Sequence, residues 1–197
     1  ALTSTFFFKN VDELERHKDK SDPREEYGRY QNPTRAVAEQ KLAELEGAED
    51  AIVCSSGMYA IAITLLRMLK PGDHILLLDE MYHRTEDLCS GLIAKFGVEI
   101  SIVESCNLGS LRSSIKENTR LFLFETPTNP HLYVQDIEGI VSICKERKVR
   151  TIVDATFGSP MNVRPLKFGV DIVIHSCTKY LAGHNDVLAG VILSRKS

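Results

Sequence analysis

Apolar positions along this chain gather into short runs, and the stretches between them repeat their apolar residues at helical spacing. The runs fall at 51–54, 74–78, 99–103, 121–125, 150–154, 171–175 and 188–193, and helical stretches lie between the first five, near 57–69, 84–96, 108–117 and 136–147. Strands that read as near-continuous apolar runs are buried on both faces, which a parallel sheet covered by helices requires. The alternation predicts an α/β fold, a three-layer sandwich around a mostly parallel seven-stranded sheet. Ahead of it, Asn32-Pro33 reads as N-cap and first helical residue, Ala38, Leu42 and Leu45 give an apolar stripe, and Gly47 is the C-terminal stop. The first thirty residues lack such a stripe. Phe6-Phe7-Phe8 is followed by a charged stretch from Asp12 to Glu26, predicting an arm that packs by its aromatic end and is otherwise solvated. The expected organisation is an arm with the first helix over 1–48 and one α/β domain over 49–197.

Composition narrows the function classes. The chain has 197 residues, 43% hydrophobic and 26% charged, enough to bury a core without disulfides or structural metals. Lys and Arg number 24 against 27 Asp and Glu, a net −3 with no basic block, which argues against nucleic acid and anionic membranes as partners. The longest apolar runs, such as Ile75–Leu78, fall far short of a membrane span, and the start lacks both a secretory signal pattern and an initiator Met, as expected of a processed or partial chain. Five cysteines form no CxxC pair and six histidines show no ligand spacing, so core thiols in a reducing compartment are expected, and no zinc site.

In open α/β sheets ligands bind outside the carboxyl ends of the strands, so the residues after each run are where chemistry belongs. Ser55-Ser56-Gly57-Met58 opens a helix, and its backbone N–H groups and dipole suit an anion; a plain strand–helix turn has the same composition. Tyr82, after the second run, presents either a ring for a flat ligand or an exposed loop aromatic. In Glu125-Thr126-Pro127-Thr128-Asn129-Pro130 two prolines stiffen a loop that holds a polar side chain or simply turns. Asp154 ends an apolar strand and needs a partner, whether a helix end, a metal or a cationic ligand nitrogen. Lys179 follows Ser176 and Thr178 after the sixth run; the hydroxyls suit phosphate, and a partly desolvated amine suits Schiff-base chemistry because burial lowers its pKa. Together these are the groups pyridoxal phosphate needs: an amine for its carbonyl, a carboxylate for its ring nitrogen, and donors for its phosphate.

The sequence resembles the Cys/Met-metabolism family of fold-type I pyridoxal-phosphate enzymes along nearly its whole length. The matching segments, in order, are Tyr27-Gly28-Arg29-Tyr30-Gln31-Asn32-Pro33-Thr34, Leu45-Glu46-Gly47-Ala48-Glu49, Ser55-Ser56-Gly57-Met58, Glu125-Thr126-Pro127-Thr128-Asn129-Pro130, Asp154-Ala155-Thr156 and Ser176-Cys177-Thr178-Lys179. Tyr82-His83-Arg84-Thr85 and Gly183-His184-Asn185-Asp186-Val187-Leu188-Ala189-Gly190 are similar to the plant-type cystathionine γ-synthase branch.

The resemblance implies a role for each site residue. Lys179 is implied as the Schiff-base lysine and proton shuttle, Asp154 as partner of the ring nitrogen with Thr156 beside the ring, and Tyr82 as the stacking aromatic. Gly57, Met58, Ser176 and Thr178 are implied as phosphate ligands, and Asn129 as neighbour of the cofactor hydroxyl and substrate carboxylate. Tyr27 and Arg29 are implied to reach a neighbouring subunit's phosphate, making a homodimer the smallest site-forming unit and a tetramer the expected assembly. Also implied is a C-terminal domain beyond Ser197, carrying an arginine for the substrate α-carboxylate. The implied activity is γ-replacement on an activated homoserine ester by cysteine, giving cystathionine, in the cytosol or a plastid. The rivals are a γ-lyase of the same family acting on cystathionine or methionine, and a non-catalytic relative that keeps the fold. A dinucleotide-binding protein is set aside because no GxGxxG follows the first run.

Overall fold

In the computed structural model, which describes residues 1–195, every apolar run of the sequence forms or overlaps a strand. The strands are β1 (Asp50–Cys54), β2 (His74–Leu78), β3 (Glu99–Val103), β4 (Thr119–Glu125), β5 (Arg150–Asp154), β6 (Ile172–His175) and β7 (Gly190–Ser194). They form a seven-stranded sheet in the order β1-β7-β6-β5-β4-β2-β3. All neighbouring pairs from β6 through β3 are parallel, while β7 runs antiparallel to both β1 and β6.

Alternate residues of each strand feed two cores. On one face Leu76, Phe122, Phe124 and Val153 pack with Ile140, Val141 and Cys144 of α6 (Ile137–Glu146), Leu111 of α5 (Leu108–Ser114) and Ala43 of α2 (Pro33–Glu46). On the other, Ile75, Leu77, Leu121, Leu123 and Ile152 pack with Ala60, Ile61 and Leu65 of α3 (Gly57–Met68) and Cys89 of α4 (His83–Gly91). Each fully buried aliphatic or aromatic side chain stabilises the fold by about 1.5–3 kcal/mol, which is why the two-sided strands dominate the architecture.

Local signals set the helix ends. Asn32 caps α2, its side-chain oxygen accepting from the Thr34 and Arg35 N–H groups, and Gly47 ends it at φ 77°. Edge strand β1 is protected where Glu39 of α2 accepts the Val53 N–H at 2.9 Å. The same helix is tied deep into the sheet: His175 Nε2 and Glu46 Oε2 lie 3.0 Å apart and both residues are buried.

Several expectations are corrected. The helix expected over 84–96 ends at Gly91 and a short 3₁₀ turn, Ile93–Phe96, completes the span. The arm contains a helix, α1 (Val11–Lys18), none of whose residues is buried. It forms without an apolar stripe because Asn10 caps it, Asp12 and Glu13 occupy its first turn, and Arg16, His17 and Lys18 its last. Of the three arm phenylalanines, Phe7 is exposed, while Phe8 sits against His17 and under the Arg24 guanidinium. A last short helix, α7 (Ser159–Asn162), follows β5. Within the expected 49–197 span, residues 196–197 lie outside the described residues. No described helix is long and apolar enough to cross a membrane.

Candidate active site

The carboxyl ends of β1, β2, β4, β5 and β6 converge on a cavity of about 300 Å³. After β1, Ser56 is extended, and its hydroxyl accepts the Tyr59 N–H at 3.0 Å to cap α3. The Ala60 N–H bonds back to the Ser56 carbonyl. The first-turn N–H groups of Gly57 and Met58 are left as the donors the cap does not use, at the positive end of the helix. Two close approaches shape this turn. A Cβ on Gly57 would lie 2.8 Å from the Cβ of Ser176, and one on Gly190 would lie 2.3 Å from the Ser56 carbonyl oxygen. The turn fits between β6 and β7 only because both positions lack a side chain.

At the end of β5, Asp154 is 9% exposed. Its Oδ1 accepts the Thr156 hydroxyl at 2.5 Å and the Thr156 N–H at 3.0 Å. That hydroxyl in turn accepts the Ser176 N–H at 2.8 Å, so one threonine links the β5 carboxylate to the turn after β6. Burial pushes the Asp154 carboxyl up from its ordinary value, and the two Thr156 hydrogen bonds oppose the shift.

The loop after β6 brings Ser176, Thr178 and Lys179 to the same cavity. The Thr178 hydroxyl is engaged with the backbone of Ala189, donating to its carbonyl at 3.2 Å and accepting its N–H at 3.1 Å. Lys179 is exposed at the cavity wall. The apolar flanks predict a residue more enclosed than this. Tyr82, in the turn before α4, lines the cavity together with Met58 and Asn129.

Of the residues singled out from the sequence, the cavity gathers Gly57, Met58, Tyr82, Asn129, Asp154, Thr156, Ser176, Thr178 and Lys179. Tyr27 and Arg29 do not line it. They stay on the arm, with Tyr27 bridged to Thr5 and the Arg29 guanidinium 5.0 Å from the centre of the Tyr27 ring and 5.6 Å from that of Tyr30.

Sequence reasoning missed Glu125. It ends β4, is 3% exposed, lines the cavity and accepts the Tyr82 N–H through Oε2 at 2.7 Å. It is the register partner of Asp154 on β5. Burial and the neighbouring Asp154 push its carboxyl up to about 8, against the Tyr82 hydrogen bond, which lowers it. The one signal in the sequence was a glutamate ending an otherwise apolar run.

Known proteins match this chain in sequence and in fold. The family model for Cys/Met metabolism PLP-dependent enzymes matches residues 1–197. Cystathionine γ-synthase 1, chloroplastic, of Arabidopsis thaliana is 41% identical over 96% of this chain and 34% of its own length. L-methionine γ-lyase of Fusobacterium nucleatum is 42% identical over 98% of this chain and 49% of its own. A crystal structure from Campylobacter jejuni, assigned as an O-acetylhomoserine (thiol)-lyase and holding N'-pyridoxyl-lysine-5'-monophosphate, superposes with a TM-score of 0.90 at 33% identity, over 99% of this chain and 48% of that one. The chain thus spans about a third to a half of the length of the relatives it matches. With its whole described fold and sequence matched in this way, the chain belongs to the Cys/Met metabolism family of PLP-dependent enzymes.

Proposed function

We propose that this chain forms the cofactor-binding part of a transsulfuration enzyme that exchanges the γ-substituent of an activated homoserine ester for the sulfur of cysteine, giving cystathionine. The observation that carries the reading is the Asp154–Thr156–Ser176 hydrogen-bond chain, which joins a buried carboxylate to the cradle at the head of α3 on the wall that Lys179 shares. These groups fit pyridoxal phosphate. Gly57 lets the head of α3 close on Ser176, so that its N–H groups and the Ser176 hydroxyl meet at one cavity, and a carboxylate disfavoured by burial gains from a cationic ring nitrogen.

When bound, pyridoxal phosphate supplies a carbonyl for amine exchange and an electron-poor ring that takes up the electron pair left by a substrate C–H bond. The residues of this chain do the rest. Lys179 Nζ would hold the cofactor and, once freed by the substrate amine, take the proton from the substrate α-carbon. Asp154 would keep the ring nitrogen protonated, with Thr156 fixing the carboxylate. Tyr82 would cover one ring face. The N–H groups of Gly57 and Met58 and the hydroxyls of Ser176 and Thr178 would hold the phosphate, the last after leaving its Ala189 contacts. Asn129 would orient the ring hydroxyl and the substrate carboxylate.

The span 49–197 acts in this reading as the cofactor domain, and 1–48 as an arm and first helix of which the arm serves a neighbouring subunit. Four of the five cysteines are buried free thiols, which suits a reducing compartment such as cytosol or a plastid. A γ-lyase is the second reading, favoured by the L-methionine γ-lyase relative at 42% identity. Incubating the full-length protein with O-acyl- or O-phosphohomoserine and cysteine, and separately with methionine or cystathionine alone, separates the two. Cystathionine should form in the first mixture at least tenfold faster than 2-oxo acid in the second; the reverse order overturns the synthase reading.

A further inference from the structure

Tyr82 has little to hold its ring. The residue is 38% exposed, its side chain caps nothing, and among the described residues its aromatic neighbour is His83, edge-on at 5.0 Å. An exposed ring attached to a turn goes where its backbone goes. That backbone is fixed at one side by the Thr85 N–H, which donates to the Tyr82 carbonyl at 2.8 Å to open α4. At the other side the Tyr82 N–H reaches across to β4, where it meets Glu125 Oε2 at 2.7 Å.

Glu125 is oddly placed for a carboxyl. It stands beside Asp154 at the end of the adjacent parallel strand, on the sheet face that carries α3. Two carboxyls at one cavity exceed what a single cationic ring nitrogen can balance. Burial and the neighbouring Asp154 settle the conflict by favouring the neutral form of Glu125. A neutral carboxyl still presents a carbonyl oxygen to an N–H, so it can tether without adding charge.

We infer that Glu125 is a positioning residue: by holding the Tyr82 backbone N–H to the end of β4 it sets the Tyr82 ring over the cofactor cavity, leaving the ring nitrogen to Asp154. This rests on the cofactor reading given above.

The test uses full-length protein loaded with pyridoxal phosphate and three variants, Glu125→Gln, Glu125→Ala and Glu125→Leu. Three quantities are read: the visible circular dichroism of the bound cofactor, its dissociation constant, and the lysine labelled after borohydride reduction. Gln keeps a carbonyl acceptor of the same reach, so its spectrum and affinity should stay within twofold of wild type. Ala and Leu offer no acceptor. They should lose at least half of the cofactor circular dichroism and bind about tenfold more weakly while Lys179 is still labelled. Leu fills the buried volume and keeps the test open if Ala does not fold. Wild-type spectra and affinity in Leu, with Lys179 labelled, would overturn the role of Glu125 alone, as would a Gln variant as impaired as Leu. Labelling of a different lysine in the wild type would overturn both this inference and the cofactor reading.

Discussion

A carboxyl that folding deprives of water remains coupled to proton concentration, and Glu125 is the case where that coupling has a usable sign. Its folded value is pushed up to about 8 from an ordinary 4.5, chiefly by burial. Between those values the folded chain holds a proton that the unfolded chain has released, so stability falls as pH rises. The contribution is fully present below about 4.5 and is lost as pH climbs through about 8. Each unit of separation corresponds to about 1.4 kcal/mol, so the loss amounts to a few kcal/mol. Denaturant unfolding of the apoprotein at pH 6 and pH 9 should show wild type losing about 2 kcal/mol or more relative to Glu125→Gln, whose amide does not titrate. Equal losses in the two proteins would remove the buried proton from the account.

Elements meet at this site with no slack. The turn between β1 and α3 is wedged between the loop after β6 and the first residue of β7, and glycine at 57 and 190 is what permits it. Position 190 is the tighter, because a Cβ there would lie 2.3 Å from the Ser56 carbonyl oxygen and 2.7 Å from the Gly57 nitrogen, against 2.8 Å from the Ser176 Cβ for one at position 57. Gly190→Ala must therefore separate β7 from the turn that offers the Gly57 and Met58 N–H groups. Cofactor affinity, measured by equilibrium titration, should fall by about tenfold or more, equivalent to about 1.4 kcal/mol. An alanine variant that binds as tightly as wild type would mean that the turn adapts and the cradle is looser than its contacts imply.

At the scale of the molecule, the arm is the part that its own chain does least to hold. No residue of helix α1 is fully buried, and Leu2 and Phe7 stand in the open. Arg29 and Tyr27 lie against each other away from the cavity of their own chain. A guanidinium and a phenol are strong phosphate donors, and a neighbouring subunit's cavity supplies the target in the proposed dimer. Replacing Arg29 by Ala should weaken cofactor binding. Co-expressing Arg29→Ala chains with Lys179→Ala chains should then restore active sites, because each mixed dimer pairs one intact arm with one intact lysine. Hybrids no more active than either parent would mean that sites are completed within single chains.

The sequence by itself determined the strands and which residues gather at the candidate site. Runs 74–78, 99–103 and 150–154 coincide with β2, β3 and β5; β2 is buried at every position, as its near-continuous apolar run requires, while edge strand β3 buries only Val103. The rule that ligands lie beyond the strand ends brought nine of the anticipated residues to one cavity without knowledge of strand order. Local capping was legible too at Asn32 and Gly47, and at Asn10 it was present although no apolar stripe drew attention to it. Only the tertiary structure decided the rest, since it depended on pairings between distant segments. That β7 enters antiparallel between β1 and β6 follows from no local signal, yet it brings Gly190 against Ser56. Lys179 was expected to be enclosed from its apolar flanks, but exposure depends on what covers a loop, and in this chain the residue is exposed. Glu125 reads as the polar end of a strand until β4 pairs in register with β5. Then its neighbour is Asp154, its surroundings are dry, and its oxygen faces the N–H of a residue 43 positions earlier. Burial and charge proximity are properties of folded neighbours, and for Glu125 those neighbours come from β5 and from the turn before α4.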